Sequence, residues 1–393
     1  MQPSERYWPF ARGLPTVQQS SQALRGINVP GSMGLMSTTY DDPAERYSFQ
    51  PKIDGAPTIS VVFPVYNATQ FLDASLGSIR AQTLRDIEII CVDDGSTDSS
   101  PEVLERHSAE DPRVVVVHQP NRGVYAARNN GLSRARGEFV YFFDSDDILV
   151  PEALATAHSA MARDNLDLCL FCAETFYDDK SMRLSHSQFK NRYQLTSSYP
   201  GVHTGAELVE LMGRNDDLRV VVWLQLVRRE LLIRNAIWFR ELRVRVDNLF
   251  SYLIQTRAER AVCLPDSLVR RRVRAGSLVT TSNHVTDFEG HLTAVVAMLA
   301  DLCTTQHPAS LVSAATVWIS WLFSATKVSL HQIPPDQRQL PSFTNPTEAA
   351  LAAFLYSQAL DYSKFLNSPS GRISRAALYL PRKARDLLRS LKR

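Results

Sequence analysis

Three carboxylates crowd into the four residues Asp144-Ser145-Asp146-Asp147, directly after the apolar run Phe139-Val140-Tyr141-Phe142-Phe143. Like charges this close repel one another and suit a hydrophobic ladder badly. They are tolerable at the carboxyl end of a strand, where an open α/β sheet has its ligand crevice. Hard oxygen donors also suit a divalent ion that stays partly hydrated and bridges to substrate phosphates. Taken alone, an acidic loop that merely caps the next helix, begun by Val150-Pro151-Glu152, would look the same. A second acidic turn, Asp93-Asp94-Gly95-Ser96-Thr97-Asp98, ends another apolar run. Asp247, in Asp247-Asn248-Leu249-Phe250, is placed as the cap or first-turn anion of a helix. Cations accompany these acids: Arg128, and the cluster Arg270, Arg271, Arg272 and Arg274 before Gly276-Ser277.

Positioning these groups takes a regular framework. Thr58–Phe63, Ile87–Val92, Arg113–His118 and Phe139–Phe143 read as four strands, β-branched or wholly apolar. Helical patterns separate them: one capped by Asn67 or Thr69, one capped by Asp98 or Ser99 with Pro101 in its first turn, and one carrying Ala126 to Gly131. Strands and helices alternating at this pace mean βαβ units, hence a parallel sheet whose polar loops share one edge. That edge is a nucleotide-type crevice. It lacks the G-x-G-x-x-G turn and the P-loop, so phosphate must be handled by a metal and by arginines. Beyond Pro151 the spacing predicts a helix to about Arg163, a strand over Leu166–Cys172, an irregular polar stretch over Asp178–Pro200 and a helix near Gly205–Met212, followed by the apolar Val220-Val221-Val222-Trp223 and the segment Arg228–Asn235. From about Thr286 the chain reads as helical, over Leu292–Cys303, Leu311–Leu330, Thr347–Phe365 and Ile373–Leu391.

At 393 residues the chain can bury a substantial core, and its net charge of +2 gives no reason to expect nucleic-acid binding. Five cysteines without regular spacing make no disulfide framework, which points to a reducing, cytoplasmic compartment. Cys169 and Cys172 form a C-x-x-C inside an apolar run with no second pair at zinc spacing, and read as buried thiols. Residues 1–57, without an apolar secretory core, read as a poorly ordered arm that docks locally. The apolar stretch Leu311–Ala325 has 15 residues where a spanning helix needs about 20, so it reads as a buried helix. The tail is basic and amphipathic, with Arg372, Arg375, Arg382, Lys383, Arg385, Arg389, Lys392 and Arg393 against one Asp386. That composition suits a peripheral contact with an anionic membrane surface.

Four loops together resemble the family 2 glycosyltransferases of the GT-A fold: Pro64-Val65-Tyr66-Asn67; Asp93 to Asp98; Asn121-Arg122-Gly123 with Ala127-Arg128-Asn129 and Gly131; and Gly137 with Asp144-Ser145-Asp146-Asp147. The clear match spans about Thr58 to Glu152. A looser one, through Trp223-x-x-Leu226-x-Arg228-Arg229-Glu230-Leu231, Phe239 and Asp247-x-x-Phe250, reaches about Thr280. The resemblance implies an α/β GT-A nucleotide-diphospho-sugar transferase fold, a mostly parallel sheet flanked by helices, over 58–285, with a C-terminal α-helical domain over 286–393.

By that resemblance Pro64, Val65, Tyr66, Asp93 and Asp94 hold the nucleoside, and either uracil or guanine suits a carboxylate acceptor. Arg128 lies over the nucleotide. Asp144 and Ser145 lie near ribose and diphosphate and Asp146 holds Mg²⁺ or Mn²⁺; Asp147 either stands behind that ligand or, the preferred reading, caps the next helix. In inverting members the base is a carboxylate of a Glu-Asp pair, which aligns here with Val246-Asp247. Asp247 is therefore the candidate base, with Val246 a departure. Gln225, where relatives often carry Lys, is another. Arg272 to Ser277 resembles a Tyr-x-Arg…Ser region in which Val269, Arg270 and Arg271 replace aromatics. Those arginines contact the diphosphate or an anionic acceptor, or lie on an exposed strand. The implied reaction moves a sugar from a nucleotide donor to a glycan or lipid-linked saccharide in surface polysaccharide synthesis. An impaired binding relative, for which Val246 argues, is the alternative. A sugar-phosphate nucleotidyltransferase would want a Gly-rich basic loop that Pro64-Val65-Tyr66-Asn67 is not.

Overall fold

The computed structural model describes residues 43–51, 55–240, 247–277, 280, 283–304, 307–343 and 345–367. After a short helix, α1 (Pro43–Arg46), the chain alternates β1 (Ile59–Val65), α2 (Thr69–Arg80), β2 (Ile87–Asp93), α3 (Ser100–Glu110), β3 (Val114–His118), α4 (Val124–Leu132) and β4 (Phe139–Phe142). These strands pair in parallel in the order β3-β2-β1-β4, which gathers their carboxyl ends on one edge. The sheet then turns mixed. β5 (Ile148–Leu149), α5 (Ala153–Arg163), β6 (Leu168–Tyr177), α6 (Lys180–Ser185), α7 (Gly205–Arg214), β7 (Gln225–Arg228), α8 (Arg229–Arg234), α9 (Asp247–Arg257) and β8 (Ala261–Val273) follow. Antiparallel β7 joins β4 to β6, β8 runs parallel to β6, and β5 closes the order β3-β2-β1-β4-β7-β6-β8-β5.

Strand β1 shows why the sheet is apolar on both sides. Ile59, Val61 and Phe63 face a core with Leu72, Leu76 and Ile79 of α2, while Val62 faces the opposite core with Ala127 and Leu132 of α4. Phe142 of β4 packs edge-on to Phe239 and Phe250 in that second core. Full burial of each such aromatic stabilises the fold by about 1.5–3 kcal/mol.

Helices α10 (His284–Thr304), α11 (Ala309–Gln332) and α12 (Pro346–Asn367) form a third core. Ala206 and Val209 of α7 and Leu249 and Tyr252 of α9 reach into it, so these two helices serve both layers. Alone among the described helices, α11 is long and apolar enough to cross a membrane by length and composition. Ala314, Ala315, Trp318 and Leu322 lie at its core interface, while 39% of its apolar stretch is buried, so the helix is only partly buried.

Several expectations need correction. Ala68, not Asn67 or Thr69, precedes α2, and the Thr69 amide is capped from another loop by Asp98. At α3 the expected pair is in place: Ser99 stands at the N-cap without a side-chain bond, and Asp98 supplies the acceptor, to the Ser100 amide. Ile148 and Leu149 form an edge strand, so helix α5 starts at Ala153, beyond Val150-Pro151-Glu152. β6 runs to Tyr177, well past Cys172, because β8 pairs along its whole length. The polar stretch after it contains α6, capped by Asp179 through Met182. Cys169 and Cys172 are free and buried. The expected helix Ile373–Leu391, the basic tail and Val246 lie outside the described residues.

Candidate active site

The parallel strand ends deliver their loops to one edge, and each loop is laced to its neighbour. Asn67, held at φ 48°, accepts from the Thr97 amide, while its own amide donates to Ser96 Oγ. Gly95 has φ 71°, and a Cβ there would meet the Asn121 nitrogen at 2.7 Å, so only glycine lets the two loops approach so closely. Asp93 and Asp94 are both buried. Asp93 accepts from the Ser96 amide at 3.0 Å and pairs with His118 Nδ1 at 3.0 Å. Asp94 accepts from Gln119 Nε2 and from the Arg122 and Gly123 amides at 2.8–2.9 Å, while burial raises its pKa. Its carboxylate therefore shapes the Asn121-Arg122-Gly123 turn, and Asp93 keeps more free acceptor capacity than Asp94. Pro64 and Val65 are buried at the end of β1, with Tyr66, 50% exposed, beside them.

Arg128 links residues far apart in sequence. It is 4% exposed, donates from Nη2 to Asp144 Oδ1 at 2.8 Å and from Nη1 to Asp247 Oδ1 at 2.6 Å, and its guanidinium lies 5.4 Å from the Phe239 ring centre. Burial disfavours its charge, yet the carboxylates of Asp247 and Asp144 outweigh that and raise its pKa. So enclosed a side chain ties the acidic loop to the start of α9 and offers a ligand little surface. Phe239 and Phe250 stack at 3.7 Å beneath this bridge, and Asn129 exchanges two hydrogen bonds with the Phe239 backbone. The neighbours Arg128 and Asn129 thus hold Asp247 through charge and Phe239 through the side-chain amide.

The acidic loop also has a cationic lid. Ser145 lies half-buried in its turn. Asp146 Oδ2 accepts from Arg274 Nε at 2.7 Å, its Oδ1 is 4.0 Å from Arg271, and its carbonyl accepts from Arg272 Nε at 2.8 Å. Asp147 does not cap α5. Fully buried, its Oδ1 accepts from Arg271 at 3.1 Å and from the Arg272 amide at 2.8 Å, while Oδ2 has no hydrogen-bond partner. Burial, opposed by the pull of Arg271, and the Asp146 and Asp144 charges raise its pKa. The guanidinium of Arg272 lies over both Phe71 and Phe176. The arginine cluster is therefore folded onto the acids rather than displayed on an exposed strand, Arg270 excepted, which is exposed over Phe176. Gln225 is buried on β7 and donates to Ser251 at 2.8 Å.

The structure brings together Asp144, Asp146, Arg128 and Asp247, with Asp93 and Tyr66 along the same edge. Sequence reasoning missed the Asp147–Arg271 pair and the contact of Arg274 with Asp146. Arginine density at the end of β8 was the only signal for either. Among the described residues no three His, Cys, Asp or Glu side chains converge to cage a metal. Asp144 and Asp146 still supply hard oxygens of the kind a hydrated divalent ion takes when phosphates complete its shell, so the donor set fits that use.

The profile of the family described as Glycosyl transferase family 2 matches residues 60–215. The chain is 31% identical over 231 residues to the glycosyltransferase GlyG of Streptococcus pneumoniae, covering 57% of this chain and 73% of that one. It is 33% identical over 225 residues to EpsJ, an uncharacterized glycosyltransferase of Bacillus subtilis, covering 56% of this chain and only 63% of EpsJ. In fold it is similar to S. aureus TarS residues 1–349, with a TM-score of 0.57 at 20% identity over 78% of this chain and 81% of that one. TarS has also been seen with UDP-GlcNAc bound, and that structure matches with a TM-score of 0.55 at 19% identity over 79% of this chain and 91% of that one.

Proposed function

Since this chain belongs to glycosyl transferase family 2, we propose that it transfers a sugar, with inversion, from a nucleotide-sugar donor to a hydroxyl of a glycan or lipid-linked saccharide. The observation that carries this reading is the Arg128 bridge, which sets Asp144, on the donor side, beside Asp247, on the acceptor side. The nucleoside lies along Pro64, Val65, Tyr66 and Asp93, its base against the exposed Tyr66 ring. The ribose and diphosphate reach Asp144 and Ser145, and Asp146 is the ligand of a Mn²⁺ or Mg²⁺ ion. When bound, that ion stabilises charge on the leaving diphosphate. Asp247 takes the proton of the acceptor hydroxyl as its oxygen bonds to the anomeric carbon and the carbon–diphosphate bond breaks. Arg128 orients Asp144 and Asp247 through its two ion pairs.

The unit of transfer is residues 58–285, with 286–393 as its helical partner. The protein works at the cytoplasmic side, and the basic tail rests on the membrane where a lipid-linked acceptor would lie.

A thermal-shift series with UDP, GDP and their sugars, with and without Mn²⁺, tests the reading. UDP-GlcNAc is the first donor to try, being the ligand seen in TarS. Ligand at a hundredfold excess over Kd raises stability by about 2.7 kcal/mol. A shift for one nucleotide family that requires Mn²⁺, and vanishes in Asp146→Asn, supports the donor site. No shift with any nucleotide in folded protein would leave a binding relative without a nucleotide donor.

A further inference from the structure

The carboxylate proposed above to take the ion already has a guanidinium on it. Arg274 Nε donates to Asp146 Oδ2 at 2.7 Å and so competes for an oxygen that an ion would draw on. We propose that Arg274 is the resident counter-ion of Asp146, and that donor binding trades it: the metal takes the carboxylate and the guanidinium passes to the donor's diphosphate. This inference rests on the proposed function and concerns how its donor site is filled.

The contrast with its neighbours singles out Arg274. Arg271 is buried against Asp147 and over Trp223. Arg272 is held three times, by its amide to Asp147, by Nε to the Asp146 carbonyl and by Nη1 to Asp178 at 2.7 Å. Both fasten the loop and cannot leave without dismantling it. Arg274 stands just past the end of β8, and its side chain is partly open to solvent. Beyond Asp146 its guanidinium has a 3.4 Å contact with the Ala275 carbonyl and the face of Phe71, 4.6 Å away.

Its backbone, in contrast, is fixed. The Arg274 carbonyl accepts from Thr280 Oγ1 at 3.0 Å, and Ser277 and Thr280 cross-bond one another. A side chain that swings on a fixed backbone suits an exchange of partners. Phe71 stabilises the charge on either side of that exchange. Guanidinium matches phosphate oxygens in a forked geometry as well as it matches a carboxylate, so the diphosphate offers it an equivalent partner. The net effect makes the empty site prefer metal and nucleotide together, because metal alone must strand a cation.

The test uses the full chain and two separate titrations. Mn²⁺ alone is followed by the electron paramagnetic resonance of the free ion, and UDP and GDP are then titrated at saturating Mn²⁺. The variants are Arg274→Met, Arg274→Lys and Asp146→Asn, each checked by its melting curve. Arg274→Met should bind Mn²⁺ alone about tenfold more tightly than the unaltered protein, and bind the preferred diphosphate about tenfold more weakly, within the usual range of coupling between two sites. Arg274→Lys, keeping the charge, should stay close to the unaltered protein for Mn²⁺ alone. Opposite signs mark the exchange, since a merely structural role for Arg274 would weaken both. If Asp146→Asn loses Mn²⁺ while Arg274→Met gains none, the exchange is overturned and the metal assignment stands. If Asp146→Asn binds Mn²⁺ like the unaltered protein, both fall together.

Discussion

At the scale of single residues, charge pairing divides the acids into two kinds. Asp247 and Asp144 share Arg128 yet stay partly open to solvent, whereas Asp147 is sealed in with Arg271. If Asp247 is the base, Asp247→Asn lowers kcat by about 10²–10⁴-fold and leaves the donor KM near its starting value; a change confined to KM would make Asp247 only the anchor of Arg128. Asp147→Ala strands the buried Arg271 charge and should cost about 3–5 kcal/mol in chemical denaturation, much of it recovered in Asp147→Ala/Arg271→Met. His118 gives a pH signature. Its hydrogen bonds to Asp93 and then Glu105 raise its pKa above the model-compound value of 6.5. The folded protein therefore holds that proton more tightly than the unfolded chain. The stabilisation is fully present below the unfolded value and is lost as pH rises through the folded one. Stability measured from about pH 6 to 8 should fall with pH from this source, and the slope should be shallower in His118→Gln.

At the scale of elements, close approach decides which helices can carry the site. α7 touches α9 through Gly205, where an added Cβ would meet the Gln255 carbonyl at 1.9 Å. Backbone cannot swing aside as a side chain can, so Gly205→Ala should cost about 1–3 kcal/mol or more. It should also lower activity, because α9 starts at Asp247. The segment ahead of β1 braces α4 on the other side. Tyr47 and Phe49 stack on Trp238, and Gln50 donates to the Ser133 carbonyl at the end of α4. Trp238→Ala should lose about 3–5 kcal/mol of stability in urea unfolding. A loss below 1 kcal/mol would mean that the stack is not retained in solution.

At the scale of the whole molecule, sheet and helical layer hold each other in place. Tyr252 and Arg257 of α9 both bond Asp301 of α10, at 2.9 and 2.6 Å, and Leu249 and Tyr252 lie in the core shared with Trp318. A chain ended before α10 would leave that face of α7 and α9 bare. It should bind a hydrophobic dye and aggregate at concentrations where the full chain stays monodisperse. Equal solubility of the two would show that the sheet stands alone.

Local order was legible in the sequence because it depends on near neighbours. Continuous β-branched and aromatic runs marked β1 to β4 and, through the alternating helices, their parallel pairing but not their order, and the abrupt change from Phe143 to Asp144 located the site's edge. Caps and partners were not legible, since they depend on which loops meet. Asp98, legible as a cap of α3, also caps α2 from 29 residues away, which no spacing rule spans, and Asp147 reads as a cap until burial places Arg271 against it. The residues that frame the chemistry are recognisable one by one as types. Only the closed sheet edge decides that Arg128 binds Asp144 and Asp247 at once, because an ion pair spanning 119 residues is a property of packing.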